Sequence, residues 1–409
     1  MNEARLRELL REVQLPDTAE AERRGLRVAR AAFAERVPAR RAALPRLALA
    51  LTAGMLLATL LLTPAGAAVR DWIDDVLGPG MRRAEPALTE LPGGGHLLVG
   101  TPAGAWVVQP DGSRRLLGDY EDATWSPHGL FVAAASGRSL SAIEPDGTVR
   151  WSLSAKGAVR DPRWSPSGVR IAYRAGSRLR VVAGDGTGTA LLDPRVAPVA
   201  PVWYPIGPHL LAYVDAAARL RIVDADSGER LGSAAVPAGT RAIGWTRDGS
   251  LLLVVTPRGL VVREATLGKV GGGLSLGPAK ALPLPAGAAV AAAAFAPDGE
   301  RIAALLRRHA GGHPPRTELA LFDSATGMRR AVFAAPGVLS GLAWSPDSGR
   351  VLIGWPDADQ WLFIPAGGRG RVRAVAGISH AFAPGAAGHA SFPRVDGWCC
   401  AAITSSPPR

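Results

Sequence analysis

One short phrase recurs along this 409-residue chain and restricts its fold more than any other feature. ATWSPHG at 123–129 returns as PRWSPSG at 162–168 and LAWSPDSG at 342–349. Looser copies are PVWYPIG at 201–207, AIGWTRDG at 242–249 and AAFAPDG at 293–299. The aromatics heading these copies are Trp125, Trp164, Trp203, Trp245, Phe295 and Trp344, spaced by 39, 39, 42, 50 and 49 residues. A period of about 40–45 residues is that of a four-stranded propeller blade, a unit that cannot bury its apolar face alone and needs neighbours.

Each unit parses alike. The first strand brings its aromatic into the core, and Ser-Pro-x-Gly ends it, because proline lacks a ladder donor and glycine supplies the turn. A second apolar strand follows, as in 169–173 and 350–355, and then a strictly alternating third, as in 178–182, 219–223 and 318–322. Asp/Gly turns at 145–148, 184–188, 224–228 and 323–327 lead into the fourth strand. The same turn precedes the first repeat at 110–113, and weaker ones lie near 265–268 and 366–370. The expected fold is therefore all-β, a propeller of seven blades, with six as the alternative because only six first strands are clear. Ser379–Gly385, SHAFAPG, is the candidate for the seventh. The last strand of the chain would then complete the first blade and close the ring, leaving no free edge.

The Trp-Ser-Pro-Asp-Gly pattern resembles TolB-type and WD-repeat-like bacterial propellers over about 95–390, most closely at 344–349 and 295–299 and least at 203–207. The whole arrangement, with its basic leader, apolar run, LPGGGHLLVG and GWCC ending, also resembles membrane-anchored propeller proteins of high-GC Gram-positive bacteria. The resemblance implies a fold and a topology but no reaction, since propellers host binding, scaffolding and catalysis alike.

Residues 47–69, LALALTAGMLLATLLLTPAGAAV, are 23 residues without a charge. As a helix they would extend about 34 Å, enough for a bilayer core. Arg36, Arg40, Arg41 and Arg46 precede this run, while Asp71, Asp74 and Asp75 follow it. The positive-inside rule then expects 1–46 in the cytoplasm, a plasma-membrane anchor at 47–69 and the remainder outside. A cleaved signal peptide is the rival, but a 46-residue lead is long for one. Within the leader, Leu6, Leu9, Leu10 and Val13 form a helical stripe, Pro16 ends it, and Asp17 with Glu20 makes a capping-box pair for a second helix. Residues 70–94 read as a juxtamembrane stalk, and 391–409 as a tail after the propeller.

Forty-seven basic residues against 35 acidic ones give a net charge of +12. Only Lys156, Lys269 and Lys280 are lysines, so the charge is arginine-borne, and no nucleic-acid-binding motif accompanies it. The loops joining second to third strands, with their margins, carry Arg138, Arg174, Arg178, Arg219, Arg258, Arg307, Arg308 and Arg316. Around a ring they would make a positive rim suited to an anionic partner such as an acidic wall polymer, broken by Asp357 and Asp359. The bland alternative is that arginine is this chain's default polar residue in exposed loops.

Catalytic signals are thin. Gly273-Leu-Ser-Leu-Gly277 matches a nucleophile-elbow formula but lies among glycines and prolines, without the required strand-to-helix turn. His309 and His313 share a loop with no third ligand in view. No cofactor or metal is expected. The two cysteines, Cys399 and Cys400, are adjacent, so they are either reduced thiols in the last strand or a vicinal disulfide.

The reading is a non-enzymatic single-pass membrane protein whose outer propeller scaffolds a protein or wall partner at the cell envelope. The alternative is a membrane-bound, anti-sigma-like regulator with residues 1–46 as its cytoplasmic docking element. An envelope enzyme ranks third, to be revived by carboxylates or histidines converging on the ring's axis. If the repeat aromatics are core, Trp164→Ala should cost about 3–5 kcal/mol by denaturant unfolding; a change under about 1 kcal/mol would refute the blade assignment.

Overall fold

A computed structural model describes residues 84–85, 87–268, 273–309, 315–368, 370–383 and 390–400. The leader 1–46, the apolar run 47–69, most of the stalk, and His313 lie outside the described residues. Seven antiparallel sheets follow one another in sequence, each a blade. Blades 2 to 7 span 122–154, 159–193, 202–235, 242–281, 289–336 and 340–376. The inner strand of each contacts the inner strand of the next, and the last contacts the first, so the ring is closed. The expected second, third and fourth strands are present, the fourth strand of blade 5 being split between Leu274–Leu276 and Lys280–Ala281. The turn expected near 265–268 is not there: the strand Gly259–Leu267 runs through it and pairs with Leu274–Leu276.

Blade 1 is made from both ends of the described chain. Its inner strand is Arg394–Cys399, paired antiparallel with His96–Thr101, followed outward by Gly104–Val108 and Arg114–Gly118. Closure by the last strand is thus as expected, but the candidate seventh strand is not: Ile378–Ala381 is a short helix within the connection from blade 7. The propeller accordingly runs past 390 to Cys399, and the expected tail begins with its closing strand. Trp398 lies near the end of this strand, as the other repeat aromatics do in theirs, and its indole donates to the Gly94 carbonyl at 2.7 Å across a separation of 304 residues.

The core lies between blades. One apolar cluster joins blades 7 and 1 through Leu97, Leu352, Trp361 and Phe363; another joins blades 3 and 4 through Leu179, Trp203 and Tyr213. Trp203 and Trp344 are buried and stitch neighbours together, donating to the Arg163 carbonyl at 2.8 Å and the Ala294 carbonyl at 3.1 Å of the preceding blades' inner strands. Trp125 is buried as well, whereas Trp164, Trp245 and Phe295 are only half-buried.

The serine of the repeat has its own task. The Oγ of Ser126, Ser165 and Ser345 accepts the backbone N–H five residues on, at 3.0, 3.0 and 2.9 Å, and the glycines ending these turns at 129 and 168 take φ of 69° and 74°. Thr246 does the same at 2.9 Å, while Tyr204 and Ala296 stand in the looser copies. At the opposite hairpins of this face, Asp111 and Asp185 accept from their own turns. The Ser113 and Thr187 hydroxyls hold the two carboxylates below the usual range.

Ser165 is fully buried, so Ser165→Ala leaves the Arg170 N–H without that acceptor. Denaturant unfolding should show a loss of about 1–3 kcal/mol; an unchanged midpoint would contradict this role for the repeat serine. Trp344→Ala should cost about 3–5 kcal/mol, more than Trp164→Ala, because Trp344 is the deeper of the two.

Candidate functional site

In an antiparallel meander, the hairpins joining second to third strands open on the same face as the links between blades. Here backbone hydrogen bonds join the two sets. The Arg138 carbonyl accepts from Ala155 N, Ser177 from Val196 N, Arg195 from Ala216 N and Pro257 from Val290 N, at 2.8, 2.8, 3.2 and 2.8 Å. This face is therefore a fixed surface, and it carries the arginines singled out in the sequence. Arg138 sits on blade 2, Arg174 and Arg178 on blade 3, Arg219 on blade 4, Arg258 on blade 5, and Arg307, Arg308 and Arg316 on blade 6.

They do not form one uniform set. Arg174 is turned inward, its Nε 2.6 Å from Asp161 Oδ2. Arg308 pairs with the buried Glu318 at 3.5 Å, and Arg307 is half-buried. Arg138 and Arg219 are exposed and, among the described residues, their side chains donate only to the neutral Ala155 carbonyl and Ser233 hydroxyl. Arg178, Arg258 and Arg316 are exposed with no ion-pair partner among the described residues. Lys156, Arg195 and Arg241 add charge from the links between blades 2 and 5. Blades 7 and 1 invert the pattern: Asp357 accepts from Val338 N at 3.2 Å, Asp359 from Ser379 N at 2.7 Å, and Asp119 and Glu121 stand on the link out of blade 1. The face is thus positive over five consecutive blades and acidic over the other two.

Sequence reasoning missed a second constellation, on the inner strands of blades 1 to 3. Asp161 occupies the left-handed region at φ 52°, its amide donating to Asp122 Oδ2 at 2.6 Å while its carboxylate takes Arg174. Asp396 pairs with Arg394, which reaches the Glu121 carbonyl at 3.2 Å, and Glu121 pairs with Arg160. Burial pushes the Asp396 carboxyl up, against the Arg394 bond and with help from nearby Asp122. Each carboxylate here has a donor, so the group ties three blades together across the closure. Its signal, an Asp three residues before Trp125 and Trp164 and two before Trp398, is visible only once the strands are aligned with their bulges. Among the described residues no three His, Cys, Asp or Glu side chains are placed to hold a metal ion.

The remaining candidates are placed as follows. Ser275 lies in a short outer strand with its Oγ on the Thr266 carbonyl at 3.3 Å, not on an elbow. His309 is exposed at the start of its loop. Cys399 and Cys400 are joined as a vicinal disulfide, with Cys400 against Gly129 at the end of the first repeat. No helix among the described residues is long and apolar enough to cross a membrane.

A scan of family models and a search of curated proteins find no match. Solved structures do match. KlHsv2 with its loop 6CD replaced by a Gly-Ser linker is 13% identical, with 66% of this chain and 88% of that one aligned at a TM-score of 0.50. The Cps50 (Swd1) β-propeller domain of Myceliophteria thermophila is 17% identical over 67% of this chain and 93% of that one, at 0.49. A Bacteroides uniformis protein provisionally named a 6-phosphogluconolactonase is 16% identical over 66% and 92%, at 0.48. At 13% identity, the match with a TM-score of 0.50 speaks for the propeller fold and for nothing about binding or catalysis. What the chain is similar to, then, is the β-propeller architecture itself.

Proposed function

We propose that this chain is a non-enzymatic, single-pass membrane protein of the cell envelope whose propeller, outside the membrane, binds an anionic polymer or an acidic protein. The observation that carries the reading is the run of exposed, unneutralised arginines over five adjacent blades on one hydrogen-bonded face. Guanidinium groups at a fixed spacing suit carboxylate- or phosphate-bearing chains, because each can offer a planar pair of donors. The acidic blades 7 and 1 give such a polymer an orientation, since it would be repelled from that sector. Anchoring rests on the uncharged run 47–69 with arginines before it and aspartates after it.

A second reading is supported by the leader, where an amphipathic stripe and the capping pair of a second helix fit within 46 residues. In it, residues 1–46 dock a cytoplasmic regulator and the propeller senses the partner outside.

The test expresses the full chain and its triple variant with Arg138, Arg219 and Arg258 changed to Glu. The wild type should sediment with membranes, resist carbonate extraction and bind polyglutamate with a steep salt dependence. The triple variant should still sediment but bind about tenfold or more weakly, with the salt dependence flattened. Carbonate-extractable protein would refute the anchor, and unaltered polyglutamate binding would refute the arginine face. A cytoplasmic protein crosslinked to the full chain and lost on deleting 2–40 would establish the regulator reading.

A further inference from the structure

A cavity of about 400 Å³ lies between the outer strands of blades 7 and 1, away from the arginine run, and falls in the size range of small-molecule sites. The Trp361 and Phe382 rings, 5.3 Å apart, contribute its aromatic lining, with Val375 and Leu88 beside them. Arg114 reaches in with its guanidinium carbon 5.5 Å from the Phe382 centroid, and His380 also lines the space. Among the described residues no aspartate or glutamate does.

One further feature points to a ligand. Trp361 is 1% exposed, yet its Nε1 has no hydrogen-bond partner among the described residues. A buried N–H left in this way costs about 1–3 kcal/mol, a cost that an incoming acceptor would remove. An indole N–H and a guanidinium are donors only, so what they accept is an acceptor-rich group. A carboxylate satisfies both, and the two rings ask for an apolar body behind it. The cleft between blades 2 and 3, about 640 Å³, contains a similar unpartnered indole, Trp164. There, however, Asp185 is in the wall, and Arg150 and Arg170 are already paired with Glu144 and Asp226.

We propose that the cavity between blades 7 and 1 binds a small organic carboxylate with an aromatic or branched apolar body. Arg114 and Trp361 Nε1 receive the carboxylate, and Phe382 with Val375 packs the body. The site also touches Leu88, in the segment that enters the ring from the N-terminal side. That segment is held to blade 7 by backbone bonds of Glu85 with Ala374 and Ala376 and by the Arg373–Glu85 ion pair at 2.7 Å. A bound acid therefore bridges the entering segment and the ring's seam. The site shares no residue with the arginine face, so each stands or falls alone.

The probe is 4-fluorophenylacetate, followed by fluorine NMR against the detergent-purified full chain, with 4-fluorophenylacetamide as the neutral control. The acid should show saturable line broadening, and the amide should bind at least about tenfold more weakly. Arg114→Gln, at an exposed position, should lower acid affinity about tenfold while leaving the melting temperature of the free protein unchanged. Trp361→Phe should also weaken binding; should it fail to fold, Arg114→Gln decides. The Arg138, Arg219 and Arg258 triple variant should bind the acid as the wild type does. Absence of saturable broadening, equal binding of the amide, or unaltered affinity in Arg114→Gln would overturn the proposal.

Discussion

The ladder between Arg394–Cys399 and His96–Thr101 joins chain segments about three hundred residues apart, and the other six blades depend on it. Without it, blade 1 would present the edge of His96–Thr101 to solvent, blade 7 would lose a neighbour, and the apolar layer containing Leu97, Val99, Phe363 and Val375 would open. Bringing such distant segments together costs about 5 kcal/mol of chain entropy on a (3/2)RT ln n estimate. The seam offsets that cost with backbone pairs, the Trp398 indole on Gly94, the T-shaped Phe363–Trp398 contact, and the Arg394 and Arg373 ion pairs on either side.

The same geometry divides the labour between the two faces. On one, the turns are built from Ser-Pro-x-Gly and Asp-Gly-Ser/Thr, whose side chains are consumed in fixing the backbone, as at Ser165 and Asp185. On the other, the hairpins are held mostly by main-chain bonds to the links between blades, so Arg178, Arg258 and Arg316 have no ion-pair partner among the described residues. Strand geometry thus determines which face can carry function. The carboxylates at the axis do not alter this, because Asp122, Asp161 and Asp396 are each engaged by an amide or a guanidinium.

The blades were legible in the sequence because their chemistry is local: aromatic, serine, proline and glycine all act within one hairpin. The seventh inner strand was hidden for the same reason. Trp398 lies near its end, but no Ser-Pro-x-Gly follows, since the chain is interrupted where that turn would be. Gly93–Gly95, Cys399 and Cys400 meet there from opposite ends of the chain, packed closely enough that a Cβ on Gly95 would strike the Cys399 carbonyl. The period points instead to 379–385, of which 379–381 belong to the short helix Ile378–Ala381. The arginine placement was legible because it follows from hairpin position alone. Which arginines are spent on Asp161 or Glu318 was not, because those pairs cross between adjacent strands of one blade and depend on the register, which a bulge shifts at Asp161. The cavity at the seam was invisible for a similar reason: Leu88, Arg114, Trp361 and Phe382 come together only through ring closure.

Closure is the claim on which the account rests, and hydrogen exchange with peptide-level mass spectrometry tests it most directly. A closed ring predicts that amides of 97–100 and 395–399 exchange as slowly as those of the blade 6 strand Arg301–Arg308 and become labile together with it in denaturant. Rapid exchange of both segments while blade 6 stays protected would contradict it, and would make 394–399 a tail and blade 1 an open edge.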